Sequence, residues 1–195
     1  GQTCVAPDYC LVDRKVRDEL VNELIQQFKK MLGEDPLANQ NFVRIINHKH
    51  YKRLQGLLEN QDILYGGWHR DDPESDSGWI APTLVADTLE GLSKPMGEEI
   101  FGPILPIIPY DDLDQALRFI NRREKPLALY LFTRSKKTKA KVLNTCSFGG
   151  GCINDTIIHL ATHHMAFGGV GNSGMGSYHG RQSFETFSHN RAIVD

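Results

Sequence analysis

Apolar residues recur along this chain with two periods, one typical of helices and one typical of strands. In residues 16–32 they return every three or four positions, which predicts an amphipathic helix that Gly33 and Pro36 end. Similar patterns predict helices over 48–59, over a segment from Asp111 or Asp112 to Arg123, and over 136–146. The predicted buried face of the first helix consists of Leu20, Leu24, Phe28 and Met31.

Short apolar runs lie before and between these helices. They cover 9–12, 62–65, 79–86, 104–108, 127–133 and 150–158, and they predict strands. The run 127–133 is nearly all apolar, as expected of a parallel strand buried on both faces. The alternation predicts an α/β fold with a largely parallel sheet. Residues 69–78 read as a charged surface loop, and 159–195 as an ordered loop with a terminal strand.

Composition narrows the classes of protein. The 195 residues include 22 basic and 24 acidic side chains, a net charge of −2, which gives no support for nucleic-acid binding. No apolar run reaches the roughly 18 residues of a membrane span. The four cysteines suggest no disulfide framework, and we expect a cytoplasmic location. Without an initiator Met or a signal peptide, the chain is expected to be a piece of a longer protein.

Half of the 18 glycines fall between Gly149 and Gly180, and some of them match a dinucleotide-binding pattern. The segment 169–174 fits G-x-G-x-x-G, which requires a preceding strand, a following helix and an acid about 20 residues later. Too little chain follows for such a unit. A tight loop in which glycines let the backbone approach another segment is therefore favoured over a phosphate site.

A zinc site is a second candidate in the same part of the chain. Cys146, Cys152, His159 and His163 offer suitable ligand atoms, but structural zinc sites usually hold cysteines two to four residues apart. The alternative is that the cysteines are small buried side chains and the histidines form hydrogen bonds in a loop.

Cys4 is the candidate nucleophile. It lies in a polar, turn-forming segment, where backbone N–H groups can stabilise a thiolate and an oxyanion. Taken alone, however, the position favours an unreactive surface or core cysteine over a nucleophile.

Three motifs in a fixed order favour the nucleophile over the unreactive cysteine. Gly1-Gln-Thr-Cys4, Glu98-Glu-Ile-Phe-Gly-Pro103 and Phe167-Gly-Gly-Val-Gly-Asn-Ser-Gly174 resemble the NAD(P)-dependent aldehyde dehydrogenase superfamily. The segments 174–180 and 183–189 resemble its class 3 branch, which includes fatty and aromatic aldehyde dehydrogenases and is close to the coniferyl aldehyde dehydrogenases. The resemblance covers essentially the whole chain. It implies a twisted sheet with helices on both faces.

The resemblance also implies a role for individual residues. Cys4 matches the nucleophile that forms a thiohemiacetal and then a thioester, with its own N–H as half of the oxyanion hole. Glu99 matches the residue that binds the nicotinamide ribose of NAD or NADP, and Phe101 the aromatic beside that ribose. Phe167 matches the aromatic lining the aldehyde tunnel. Asn154 is expected to be structural.

The resemblance further implies what this chain lacks and what it assembles with. Residues 1–195 match the catalytic domain, with about 150–195 contributing the tunnel loop and an oligomerisation strand. The N-terminal coenzyme-binding domain and the general-base glutamate are missing, so this fragment alone is expected to be inactive. The full-length protein is expected to bind a small aldehyde, no nucleic acid and no membrane, and to form a homodimer. A thioester hydrolase or acyltransferase using Cys4 with His159 or His179, and a zinc or assembly module, remain alternatives.

Overall fold

The computed structural model describes residues 1–195 and divides them into two units. Unit 1 comprises Gly1–Ala116 and unit 2 comprises Leu117–Asp195. The boundary falls inside helix α3, Leu113–Asn121. Each unit is described by itself below.

Unit 1 is built on a four-stranded sheet. Its strands are β1, Cys10–Asp13, β2, Ile63–Tyr65, β5, Thr83–Ala86, and β6, Ile104–Tyr110, in the order β1-β6-β5-β2. The pairs β1–β6 and β5–β6 are parallel, with Cys10 opposite Ile107 and Thr83 opposite Ile104. Only β2 runs antiparallel, against β5.

Two helices pack against this sheet, and each forms its own hydrophobic core with it. They are α1, Arg17–Leu32, and α2, His48–Leu58. Leu84 and Val85 are neighbours on β5, and successive strand residues face opposite sides. Leu84 accordingly packs with Val21 of α1, whereas Val85 packs with Leu54 of α2. The unit is therefore a sheet with one helix on each face.

A hairpin lies beside this sheet. Strands β3, His69–Asp71, and β4, Gly78–Ile80, pair antiparallel, and the Arg44 side chain binds Asp72 in the connecting turn. The prediction of a surface loop over 69–78 was therefore wrong for residues 69–71 and for Gly78, which lie in strands. The predicted strand 79–86 is also two strands, because Ala81 and Pro82 interrupt it.

Unit 2 contains a two-stranded parallel sheet of β7, Ala128–Leu131, and β8, Gly150–Ile153. Helix α4, Lys136–Thr145, connects the two strands, and Ser135 caps it by accepting the Thr138 N–H at 3.1 Å. All four β7 residues are only partly buried, so the expectation of a strand buried on both faces was wrong. A two-stranded sheet covers its strands incompletely.

The chain after β8 differs most from expectation. A short helix, α5, Gly180–Thr186, occupies the segment in which no helix was predicted. Residues 188–195 form no strand, so the terminal strand is absent from the single chain. Pairing of this segment with another subunit stays a prediction. The sequence pattern also predicts Met31 on the buried face of α1, but its side chain is exposed.

The fold class is confirmed as mixed α/β with a mostly parallel sheet and flanking helices. None of the helices has the combination of length and apolar character that a membrane-spanning helix needs.

Candidate active site

Cys4 lies in a short turn before β1, which we call the cysteine loop, residues 1–8. The Ala6 N–H donates to the Thr3 carbonyl at 3.1 Å and closes the turn around Cys4 and Val5. Val5 is buried, whereas Cys4 is exposed. The local fold thus anchors one side chain of the turn and leaves the thiol accessible.

The Gln2 side chain fixes the start of the cysteine loop. Its Nε2 donates to the Arg44 carbonyl, and its Oε1 accepts the Ile46 N–H, each at 3.0 Å. One amide group therefore satisfies a donor and an acceptor of a neighbouring segment, which is the pairing expected of glutamine. The sequence predicts Gln2 only as part of a motif and assigns it no role of its own.

Glu99 and Phe101 lie in a second turn, residues 99–102, which we call the ribose turn after the role that the motif resemblance implies for Glu99. Ile100 between them is 1% exposed and belongs to the core of unit 1, whereas Glu99 and Phe101 are exposed. Phe101 has φ +51°, a left-handed conformation that is unfavourable for a residue with a side chain. The turn thus buries its middle side chain and presents a carboxylate and an aromatic ring to solvent.

Backbone groups of the ribose turn are held by two charged side chains. Asp8 Oδ1 accepts the Ile100 N–H at 2.9 Å. From α2, Arg53 Nη2 donates to the Ile100 carbonyl at 2.6 Å and Nη1 to the Glu99 carbonyl at 3.3 Å. Arg53 Nη1 also lies 3.5 Å from Glu98 Oε1. Neither Asp8 nor Arg53 lies in a recognised motif, so neither was predicted as a site residue.

The cysteine loop and the ribose turn are in direct contact. A Cβ atom on Gly1 would lie 1.9 Å from the Gly102 carbonyl oxygen, and one on Gly102 would lie 2.5 Å from Leu54 Cδ2. Both positions therefore require the absence of a side chain. Three of the predicted site residues, Cys4, Glu99 and Phe101, are thus carried by two segments packed together in unit 1.

Phe167, the fourth predicted site residue, lies in unit 2. Its backbone pairs with Tyr178 through two hydrogen bonds of 2.9 Å. Its ring is half-buried and lies 5.8 Å from the rings of His159 and His179, centroid to centroid. Phe167 is therefore the centre of an aromatic cluster, which we call the Phe167 cluster: Tyr130, His159, Phe167, Tyr178 and His179.

The glycine-rich loop that follows Phe167 brings backbone segments together, as predicted. Cβ atoms on Gly168 and Gly169 would lie 2.3 Å from the Gly176 oxygen and 2.1 Å from the Ser173 oxygen. The pattern 169–174 itself contains only a 3₁₀ turn, Gly171–Ser173, and the next helix, α5, begins six residues after the pattern, at Gly180. A dinucleotide fold would instead begin its helix at the pattern. Asn154 has a structural role, because its side-chain amide binds both the N–H and the carbonyl of Thr133.

The candidate zinc ligands do not assemble. Cys152 Sγ lies 3.5 Å from His159 Nδ1, but no three cysteine, histidine or acidic side chains form a group that could hold a metal ion. Burial raises the pKa of Cys146 and lowers the pKa of His159. Cys10 is half-buried in β1, and burial raises its pKa to about 11.

The histidines of the hydrolase alternative lack the partner that such a base needs. A catalytic histidine is usually oriented by a carboxylate on its second ring nitrogen. Here His159 Nε2 and His179 Nδ1 are buried without a hydrogen-bond partner. Neither ring is arranged as a general base with an orienting acid.

Comparison with known proteins adds an independent observation. The model of the aldehyde dehydrogenase family matches residues 1–193. The whole chain is 47% identical to the dimeric NADP-preferring aldehyde dehydrogenase of Canis lupus familiaris and covers 42% of that protein. It is 48% identical to the 4,4'-diaponeurosporen-aldehyde dehydrogenase of Staphylococcus aureus, again over 42% of its length.

Solved structures give the same result. The substrate-bound Staphylococcus aureus AldH superposes with a TM-score of 0.89 at 44% identity, over 100% of this chain and 43% of that one. The NAD-dependent aldehyde dehydrogenase of Sinorhizobium meliloti superposes with a TM-score of 0.80 at 26% identity, over 97% of this chain and 38% of that one. This chain spans less than half the length of these relatives, and it belongs to the aldehyde dehydrogenase family.

Proposed function

We propose that this chain is the cysteine-bearing catalytic domain of an NAD(P)-dependent aldehyde dehydrogenase, with Cys4 as the nucleophile. The observation that carries the proposal is the contact between the cysteine loop and the ribose turn. The segment that carries the exposed Cys4 thiol therefore packs against the segment that carries the exposed Glu99 carboxylate and Phe101 ring, all within unit 1. Hydride transfer from a thiol-bound substrate to a coenzyme requires this kind of proximity.

In the proposed reaction, the Cys4 thiolate attacks the carbonyl carbon of an aldehyde. A C–S bond forms, and the electron pair of the C=O bond moves to the oxygen, where the Cys4 N–H donates a hydrogen bond. Held by Glu99 and Phe101, NAD(P)⁺ would supply the hydride acceptor. When the hydride leaves this carbon, the oxygen regains its double bond and the substrate is left as a thioester of Cys4. Water then adds to the thioester carbon and gives one proton to solvent. The C=O bond re-forms as the C–S bond breaks, the electron pair of the C–S bond returns to Cys4 as a thiolate, and the carboxylic acid leaves.

The ribose turn fits the nicotinamide ribose. The Glu99 carboxylate is exposed and forms no ion pair, so both oxygens are available to accept hydrogen bonds from two vicinal hydroxyl groups. Phe101 is 39% exposed and offers an apolar surface beside it. Either NAD or NADP is compatible with these two side chains.

Residues 150–195 are proposed to contribute the substrate loop and a subunit contact. The Phe167 cluster supplies aromatic surface for an aldehyde chain. Beyond it, Phe184, Phe187 and Val194 are strongly exposed, as expected of a surface covered by another subunit. A homodimer is proposed on this basis and on the name of the canine relative. The cytoplasmic location expected from the sequence is retained.

The nucleophile is tested by substitution in the full-length protein. Cys4→Ser is expected to lower aldehyde-dependent NAD(P)H formation by at least about 10³-fold, because a serine hydroxyl is hardly ionised near neutral pH. Cys10→Ser is the control and is expected to retain activity. The 195-residue chain alone is expected to produce no NAD(P)H. Undiminished turnover of Cys4→Ser would overturn the assignment.

A further inference from the structure

We infer that Asp8 is a positioning residue that holds the ribose turn in its coenzyme-binding conformation. The inference rests on the proposed function and extends it to a residue outside the recognised motifs. It begins from the hydrogen bond of 2.9 Å between Asp8 Oδ1 and the Ile100 N–H, which joins residues 92 positions apart in sequence.

The ribose turn needs external support because of its backbone. Phe101 adopts φ +51°, which residues with a Cβ atom rarely occupy unless surrounding contacts enforce it. Ile100 immediately precedes it and is anchored in the core by its side chain. A buried side chain fixes the position of Ile100 but leaves the orientation of its peptide groups to hydrogen bonding.

Asp8 and Arg53 supply that hydrogen bonding from opposite sides. The Asp8 carboxylate accepts the N–H of Ile100, and the Arg53 guanidinium donates to the carbonyl of the same residue at 2.6 Å. Hydrogen bonds to charged groups are stronger than those between neutral groups. Together the two side chains define the peptide planes on both sides of Ile100, and hence the directions in which Glu99 and Phe101 project.

Asp8 lies in the cysteine loop, whereas Arg53 lies in α2. Asp8 is four residues after Cys4, at the far end of the cysteine loop, whereas Gly1 at the near end packs on Gly102. The cysteine loop is therefore attached to the ribose turn at both ends. Asp8 thus fixes the coenzyme-binding turn relative to the segment that carries the nucleophile.

The experiment compares three variants of the full-length protein. Asp8→Ala removes the acceptor, whereas Asp8→Asn keeps a carbonyl oxygen that can accept the same N–H. Asp35→Ala is the matched control, because Asp35 Oδ1 also accepts a backbone N–H at 2.9 Å, from Leu37, outside the site. For each, the coenzyme Kd, the aldehyde KM, the melting temperature and the hydrogen exchange of the Ile100 amide are measured.

Asp8→Ala is expected to weaken coenzyme binding about tenfold and to accelerate exchange of the Ile100 amide, with Asp8→Asn within about threefold of wild type. Asp35→Ala is expected to change the melting temperature only. Equal coenzyme affinity in wild type and Asp8→Ala would overturn the inference. Failure of the wild type to bind coenzyme would instead refute the proposed function, while unchanged Ile100 exchange in Asp8→Ala would refute the positioning role separately.

Discussion

The two regions that carry the predicted site residues are stabilised in different ways. In unit 1, the cysteine loop and the ribose turn are held by side chains that reach backbone groups far away in sequence, from Gln2, Asp8 and Arg53. In unit 2, the loop after Phe167 is held by glycine backbones in contact with each other and by stacked rings. The first region uses long-range hydrogen-bonding side chains in addition to the close contact of Gly1 with Gly102, whereas the second relies mainly on close contacts between glycine backbones.

This difference matters for function. A turn held by long-range hydrogen bonds can present exposed groups such as Glu99 at a defined position without a regular element beneath them. A loop held by glycine contacts has almost no room for adjustment, because its neighbours are backbone atoms. We therefore expect substitutions of the exposed residues Glu99 and Phe101 in the ribose turn to alter binding in graded steps, and substitutions of Gly168 and Gly169 in the glycine-rich loop to alter folding.

The largest effect is expected from Gly169→Ala. The added Cβ would lie 2.1 Å from the Ser173 oxygen, and the free energy of unfolding should fall by about 3 kcal/mol in denaturant titrations. Gly171→Ala is the control in the same loop, since its Cβ would meet only Lys125 Cδ at 3.5 Å. Its φ of +64° should cost about 1 kcal/mol. Equal losses for both variants would contradict the role assigned to backbone contact.

A smaller and purely functional effect is expected from Glu99→Gln. The amide keeps the shape of the carboxylate but loses its charge and one acceptor, so coenzyme Kd in the full-length protein should rise about tenfold. The free energy of unfolding should change by less than about 0.5 kcal/mol, because the side chain is exposed. Glu23→Gln, at an exposed position of α1, should change neither quantity. A large loss of stability in Glu99→Gln would remove the contrast between the two regions.

The smallest effect concerns pH and the Phe167 cluster. Burial lowers the pKa of His159 below its ordinary value of 6.5, so the folded state favours the neutral ring. Its contribution to stability is present above about pH 6.5 and is lost as the pH falls through the folded pKa. His159→Gln should therefore make the free energy of unfolding less dependent on pH between about 7.5 and 5. His189→Gln, in the exposed tail, should leave that dependence unchanged.

The sequence predicted regular elements well where a single period dominates. Helices α1, α2 and α4 begin and end within one or two residues of the predicted positions. The interruption at Pro82 was hidden inside an apolar run, because apolar content alone does not distinguish one strand from two. Helix α5 was missed because it is short and begins at a glycine.

The sequence likewise predicted only the part of the candidate site that lies in local motifs. Cys4, Glu99, Phe101 and Phe167 were identified from motifs, which record residue types at fixed local spacing. Asp8 and Arg53 act across 92 and 47 positions, and no local pattern contains such a contact. The arrangement of the Phe167 cluster was likewise not visible, since its members come from β7, the loop after β8 and the segment before α5.

The alternation of Leu84 and Val85 on β5 has a consequence for insertions and deletions. Because adjacent residues serve opposite helical layers, removing one residue from this strand would send each side chain to the wrong layer, whereas removing two would preserve the facing pattern. Strand β6 pairs in register with β5 and begins at Ile104, with only Pro103 between it and the ribose turn. The odd–even parity of a buried strand therefore also sets where the turn that carries Glu99 emerges from the sheet.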